Sequence, residues 1–230
     1  MLDTTALGPG QHGRRQRLAR VAAVALVAAT AGTGAGGPAR ARPVRSIAEF
    51  RDEQVVRQHW DLTCGAAAIA TVFTYQLGRS VSEREVALAM LRRTSPTVVR
   101  MRLGFSLLDL KVYAASHGVA AAGFGGMTLE DLDARAPVIV PLRWHGFRHF
   151  VVYRGRLGDR VLIADPSFGN RTLKDQAFTA SWANGIGFVV FDPSNPRAPN
   201  RMGAPGELFQ TPGHQAERTA ISNIQVRDGP

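Results

Sequence analysis

The sequence predicts an α+β fold, a helical half followed by an antiparallel-sheet half. Two observations carry this. Helix start and stop signals crowd the stretch from Asp61 to about Asp131. Beyond it, short apolar runs of strand type follow one another through short links that contain Gly, a pattern that favours antiparallel hairpins. Helices first and strands after is an α+β arrangement.

The first helix is expected from Cys64 to about Leu77, with Thr63 or Asp61 as its cap and Gly78 as its stop. Ala67, Ala68, Ile69, Val72, Phe73 and Leu77 make it apolar on most sides, so it is a central, buried helix. Ser82 with Glu85 reads as a capping box for a helix to about Arg92. Ser106 and Asp109 have the same spacing, and that helix runs to His117 and stops at Gly118. Thr128 and Asp131 open a short fourth helix. The strands follow as Val138–Leu142, His149–Tyr153, Val161–Ala164 and Gly187–Phe191.

Both ends are of other material. A basic stretch from Arg14 to Arg20 precedes an apolar run, Val21 to Ala31, and then a small-residue segment with Ala39-Arg40-Ala41. This is the order of a secretory signal, so residues 1–41 are expected to be an export signal. The apolar run has 11 residues, short for a membrane span; an uncleaved signal would be the only membrane contact. From Pro193 to Pro230 there are six Pro and four Gly, and Phe209 is the only aromatic, a composition expected of a disordered tail. The folded domain is therefore expected over residues 42–192.

The formal net charge is +10 on 230 residues, with 45% hydrophobic and 20% charged content. Part of the excess sits in the signal segment, which has five Arg against one acid, and the rest is spread without a dense run. That argues against a nucleic-acid partner. There is one cysteine, Cys64, which excludes an intramolecular disulfide and a multi-Cys zinc site.

Cys64 falls at the start of the expected central helix. Free backbone N–H groups and the positive end of the helix dipole meet there and favour an anion such as a thiolate nucleophile. Gly65, lacking a side chain, permits close approach of another segment. A nucleophilic cysteine needs a base. His149 opens a strand in His149-Phe150-Val151-Val152-Tyr153, with its side chain at the sheet's end. His145 is its rival but falls in the hairpin loop. The spacing of the two would suit a metal site on a helix, but this segment reads as turn then strand and has no adjacent acidic ligand, so neither metal nor cofactor is expected. Asp165 follows Val161–Ala164 and precedes Pro166. It ends the next strand over, where its carboxylate could accept from one ring nitrogen of His149 while the other faces Cys64.

Gln58 with Cys64-Gly65, the His-Phe-Val-Val-Tyr strand and Ala164-Asp165-Pro166 together resemble the C39 peptidases, the double-glycine cysteine peptidases, over about residues 45–191. The resemblance implies a papain-like fold. In it Cys64 is the nucleophile, His149 the base and acid, Asp165 the orienting residue, and Gln58 donates to the oxyanion beside the Cys64 N–H. A narrower likeness is carried by Gln58-His59-Trp60-Asp61, Val81–Glu85 and Gly104–Lys111. These are similar to the stand-alone C39-like proteases of bacterial functional-amyloid (Fap) secretion systems. It implies a protein or peptide substrate, such as a secretion-system or amyloid subunit, cleaved after small residues of Gly-Gly type. The export signal puts the catalytic domain in the periplasm or outside the cell.

Phe105, Leu107, Leu108 and Trp144 are candidates for a groove that grips apolar substrate residues. Two alternatives share these residues. One is a non-catalytic accessory that keeps the fold and binds a secreted partner. The other is a different acyl transfer, such as transpeptidation, for which the same triad would serve.

Overall fold

The computed structural model describes residues 47–144, 146–192, 194–195 and 198–203. The export-signal segment and His145 lie outside the described residues. In chain order the elements are α1 (Ile47–Asp52), α2 (Cys64–Thr71), α3 (Glu83–Leu91), α4 (Pro96–Arg102), α5 (Leu107–Ser116), β1 (Ala120–Phe124) and α6 (Leu129–Arg135). Then come β2 (Val138–Trp144), β3 (Phe147–Leu157), β4 (Arg160–Asp165), β5 (Gly169–Lys174), α7 (Asp175–Ser181) and β6 (Gly187–Phe191).

Local chemistry explains the helix starts. Ser82/Glu85, Ser106/Asp109 and Thr128/Asp131 each form the reciprocal capping box that their spacing predicts. Pro96 occupies the first turn of α4, where its missing N–H is no loss. Helix α2 continues through a π turn over Val72–Gln76 and ends before Gly78, whose φ of +70° suits a residue without Cβ.

All six strands form one antiparallel sheet in the order β1-β6-β2-β3-β4-β5. The central strands are covered on both faces, which is why they read as unbroken apolar runs. Phe150, Val152 and Ala164 face a core shared with Ile69, Phe73 and Leu110 of the helical half. Their neighbours Val151, Tyr153 and Ile163 face a second core with Leu132 of α6 and Phe178 of α7. Each large apolar side chain buried there stabilises the fold by about 1.5–3 kcal/mol. The β2–β3 hairpin closes on the pair Trp144–Phe147, so β3 starts before His149, and His149 is its third residue rather than its first.

Helix α2 is the axis of the first core. All eight of its residues are buried, and the small side chains of Ala66, Ala67, Ala68 and Ala70 let it lie against β3, α3 and α5. At Gly65 an added Cβ would stand 3.3 Å from both Leu110 Cδ1 and Phe150 Cδ2, so glycine brings the start of α2 onto β3 and α5.

The expected boundary at residue 192 falls short. Met202 is fully buried in the first core. The segment around it is tied down by hydrogen bonds: Gln76 Nε2 to the Pro199 carbonyl, the Arg201 N–H to Gln76 Oε1, and Asn200 Nδ2 to the Arg154 carbonyl. Arg154 is itself buried. Its guanidinium donates to the Met202 carbonyl at 2.7 Å, the Glu53 carbonyl at 3.1 Å, Gln54 Oε1 at 2.6 Å and Asn170 Oδ1 at 2.6 Å. A buried cation needs such partners, and here they come from both ends of the described chain. The composition of residues 193–230 hid this, because one methionine and a few backbone carbonyls do the anchoring. Residues 204–230 lie outside the described residues.

Candidate active site

Cys64 is the first residue of α2 and is buried. The loop before it turns sharply. Leu62 has φ of +67°, a strained value for a branched residue, and its carbonyl lies where a Cβ on Gly104 would stand 3.3 Å away. Thr63 holds the N-cap position but makes no side-chain cap bond. Its hydroxyl is turned away, toward the Trp60 carbonyl at 2.5 Å and toward Glu83 Oε1. Among the described residues α2 has no side-chain cap bond at its start, and the helix dipole there is directed at the space around the Cys64 sulfur.

His149 reaches this point from β3. Its Nε2 lies 2.7 Å from Asp165 Oδ1, and His149 and Cys64 line one recess. With Nε2 turned to Asp165, Nδ1 is the nitrogen left for the sulfur. Burial opposes a charge on the ring, but the bond to Asp165 and the nearness of Asp165 and Cys64 outweigh it and push the His149 pKa up to about 9.

Asp165 ends β4, one residue past the Val152–Ala164 pair, and is fully buried. The same Oδ1 that meets His149 accepts the N–H groups of Ser167 at 2.9 Å and Phe168 at 3.3 Å. Arg171 Nε stands 3.2 Å from Oδ2, an ionic contact rather than an aligned hydrogen bond. Burial would raise the Asp165 pKa. His149, Arg171 and the Ser167 amide together hold it below the ordinary carboxylate value. The Arg171 guanidinium also covers the Phe168 ring at 5.2 Å.

Gln58 lines the same opening as Cys64 and His149, together with Leu62, Leu103 and Phe168, a recess of about 270 Å³. Its backbone N–H donates to the Pro166 carbonyl at 2.9 Å, which ties the Gln58 segment to the turn after Asp165. Its Nε2 donates to the Trp60 carbonyl at 3.3 Å. A larger cleft of about 710 Å³ opens from Cys64 along Leu103, Phe105, Leu107, Leu108 and Phe147, with Arg102 and Arg148 on it. Leu103, Leu108 and Phe147 are more than half exposed there, whereas Phe105 belongs mainly to the core. Of the four groove candidates, Phe105, Leu107 and Leu108 line the cleft. Trp144 ends β2, and its side chain lies outside the described residues.

The four residues singled out in the sequence, Gln58, Cys64, His149 and Asp165, are thus brought together. Glu83, the Ser167 and Phe168 amides and Arg171 were not anticipated. An acid after Ser82 reads as an ordinary helix-dipole partner, and nothing in the local pattern says that it is buried.

A cysteine at the start of a buried helix, facing a histidine bonded to a buried carboxylate on an antiparallel sheet, is the arrangement of a papain-like cysteine peptidase. The chain belongs to the peptidase C39 family, whose model matches residues 52–195. It is 37% identical over 165 residues to the "Probable functional amyloid protease FapD" of Pseudomonas aeruginosa, covering 70% of this chain and 72% of the relative. To the protein of the same name from Pseudomonas fluorescens it is 40% identical over 157 residues, covering 67% and 68%. Its fold is that of the peptidase domain of Streptococcus ComA, a bi-functional ABC transporter. The TM-score is 0.50 at 22% identity, over 59% of this chain and 96% of the other. Among the described residues no helix is long and apolar enough to cross a membrane.

Proposed function

We propose that this chain is an exported endopeptidase in which Cys64 is the nucleophile, His149 the general base and acid, Asp165 the residue that orients His149, and Gln58 an oxyanion donor. The observation that carries the reading is the 2.7 Å bond from His149 to the buried Asp165, made by a ring that lines one recess with Cys64.

In this reading the Cys64 sulfur attacks the scissile carbonyl carbon while the thiol proton rests on His149. The negative charge moves to the carbonyl oxygen, which the Cys64 N–H and Gln58 Nε2 stabilise; one such donor is commonly worth about 3 kcal/mol. The long bond from Gln58 to the Trp60 carbonyl is weaker than a bond to an oxyanion, so the amide turns to the substrate. The C–N bond breaks as His149 gives its proton to the leaving amine, and a thioester remains on Cys64. Water then loses a proton to His149 and attacks the thioester. The C–S bond breaks and the proton returns to sulfur.

The substrate is a secreted or envelope protein cleaved after small residues of Gly-Gly type. Exposed Leu103, Leu108 and Phe147 beside Cys64 form an apolar wall suited to covering by a peptide. The names of the Pseudomonas relatives support a subunit of an amyloid secretion system as that substrate. The N-terminal signal pattern supports a periplasmic or extracellular site of action.

The test uses the full chain with peptides containing Gly-Gly and matched Ala-Ala or Val-Val peptides, followed by mass spectrometry. Cleavage after Gly-Gly that is lost in Cys64→Ala is expected. A water adduct marks hydrolysis; a ligated product would mark transpeptidation instead. No cleavage, with a Cys64 that alkylates no faster than an ordinary thiol, would overturn the reading.

A further inference from the structure

Glu83 is a carboxylate only 2% exposed and has no part in the mechanism above. It is the first residue of α3, yet its side chain reaches across to the loop between Gln58 and Cys64. There it accepts the His59 N–H at 2.9 Å, His59 Nδ1 at 3.0 Å, the Trp60 N–H at 3.5 Å and the Thr63 hydroxyl. These donors bracket the loop. His59 directly follows Gln58, and Thr63 directly precedes Cys64.

We infer that Glu83 is a positioning residue for the oxyanion site, acting through the 59–63 loop to set Gln58 against Cys64; this rests on the roles proposed above for those two residues. Two effects follow from the contacts. First, with His59, Trp60 and Thr63 held by one buried group, the Trp60 carbonyl is fixed where Gln58 Nε2 donates to it. That parks the Gln58 amide at the edge of the recess containing Cys64. Second, a threonine at the N-cap ordinarily bonds the second or third amide of its helix. Glu83 draws the Thr63 hydroxyl away, and the side-chain cap is absent. The amide end of α2 is then left for the substrate oxygen. A strained Leu62 persists in the middle of the loop because both flanks are held.

The test compares wild type, Glu83→Gln, Gln58→Ala and the double variant on a Gly-Gly peptide. Glutamine keeps the shape but brings an N–H₂ where two acceptor oxygens are needed. The kcat of folded Glu83→Gln is expected to fall about 10²-fold with KM little changed, the mark of a misplaced group acting in the transition state. Iodoacetamide should still alkylate Cys64 at the wild-type rate, since His149 and Asp165 are untouched. Added to Gln58→Ala, the change should produce little further loss, because both act on one donor. Thr63→Val, which removes the hydroxyl from the other side, should behave likewise and carries the test if Glu83→Gln does not fold.

A readout independent of turnover is amide hydrogen exchange at His59 and Trp60. It should be slow in wild type and fast in Glu83→Gln, with exchange in α2 and the sheet unchanged. Wild-type kcat in the folded variant, a loss that adds in full to that of Gln58→Ala, or unchanged exchange at the two amides would each overturn the inference. If Gln58→Ala itself leaves kcat intact, the oxyanion assignment fails, while the exchange data still decide whether Glu83 holds the loop.

Discussion

Asp165 Oδ1 meets His149 Nε2 at 2.7 Å while accepting two backbone amides from the turn that follows it. The carboxylate is therefore fixed before the histidine arrives, and its position dictates which ring nitrogen faces Cys64. Asp165→Asn is expected to keep the fold, present an amide to Nε2 and favour the wrong tautomer. Cleavage rate should fall by roughly 10³–10⁴-fold, read by kcat on a cleaved peptide, with melting temperature measured alongside.

The raised His149 pKa gives a pH limit. The proton on His149 is needed for the leaving amine, so activity should fall as pH rises through about 9. The sign for stability is the same. A histidine whose folded pKa lies above its unfolded value stabilises the fold fully below about 6.5, and this contribution is lost as pH rises to about 9. In Cys64→Ala, one of the two groups that raise the pKa is gone. An NMR titration should find His149 lowered from the wild-type value but still above an ordinary histidine, because Asp165 remains.

Leu108 offers a test of the apolar wall. It is 66% exposed, so Leu108→Asp should leave the melting temperature nearly unchanged. If a substrate side chain packs there, KM should rise about tenfold or more, the scale of losing one buried leucine contact. Cys64 alkylation should be unaffected.

The domain boundary can be tested by truncation. A chain ending at residue 192 leaves the buried Arg154 without the Met202 carbonyl and removes a fully buried side chain. Losing one acceptor of a buried cation costs about 1.5–3 kcal/mol. Such a chain should melt far below one ending at residue 203, by circular dichroism. Met202→Ala alone should destabilise by about 2–5 kcal/mol.

What was legible in the sequence was what depends on short-range pattern. The three capping boxes fixed the starts of α3, α5 and α6, and the unbroken Val/Ile/Leu runs gave the central strands. The edge strands were not legible. Ala120–Phe124 has no alternation, and Gly169–Lys174 is mostly polar, because each has only one paired neighbour. Helices α1, α4 and α7 are six or seven residues long, too short for a periodicity to emerge. At the site, Cys64 and Asp165 could be read because each sits at an element's start or end, His149 because its apolar strand run was plain, and Gln58, in the loop before α2, only through the family resemblance. Glu83 could not, because its role arises from a contact 24 residues back along the chain, with His59.

The buried Arg154 also bears on when the molecule can close. Its guanidinium joins Glu53 and Gln54, made early, to Met202, made after every helix and strand of the sheet. During synthesis the first of these waits, and the cation stays in water, until the last has left the ribosome. The last of these bonds is thus a late event.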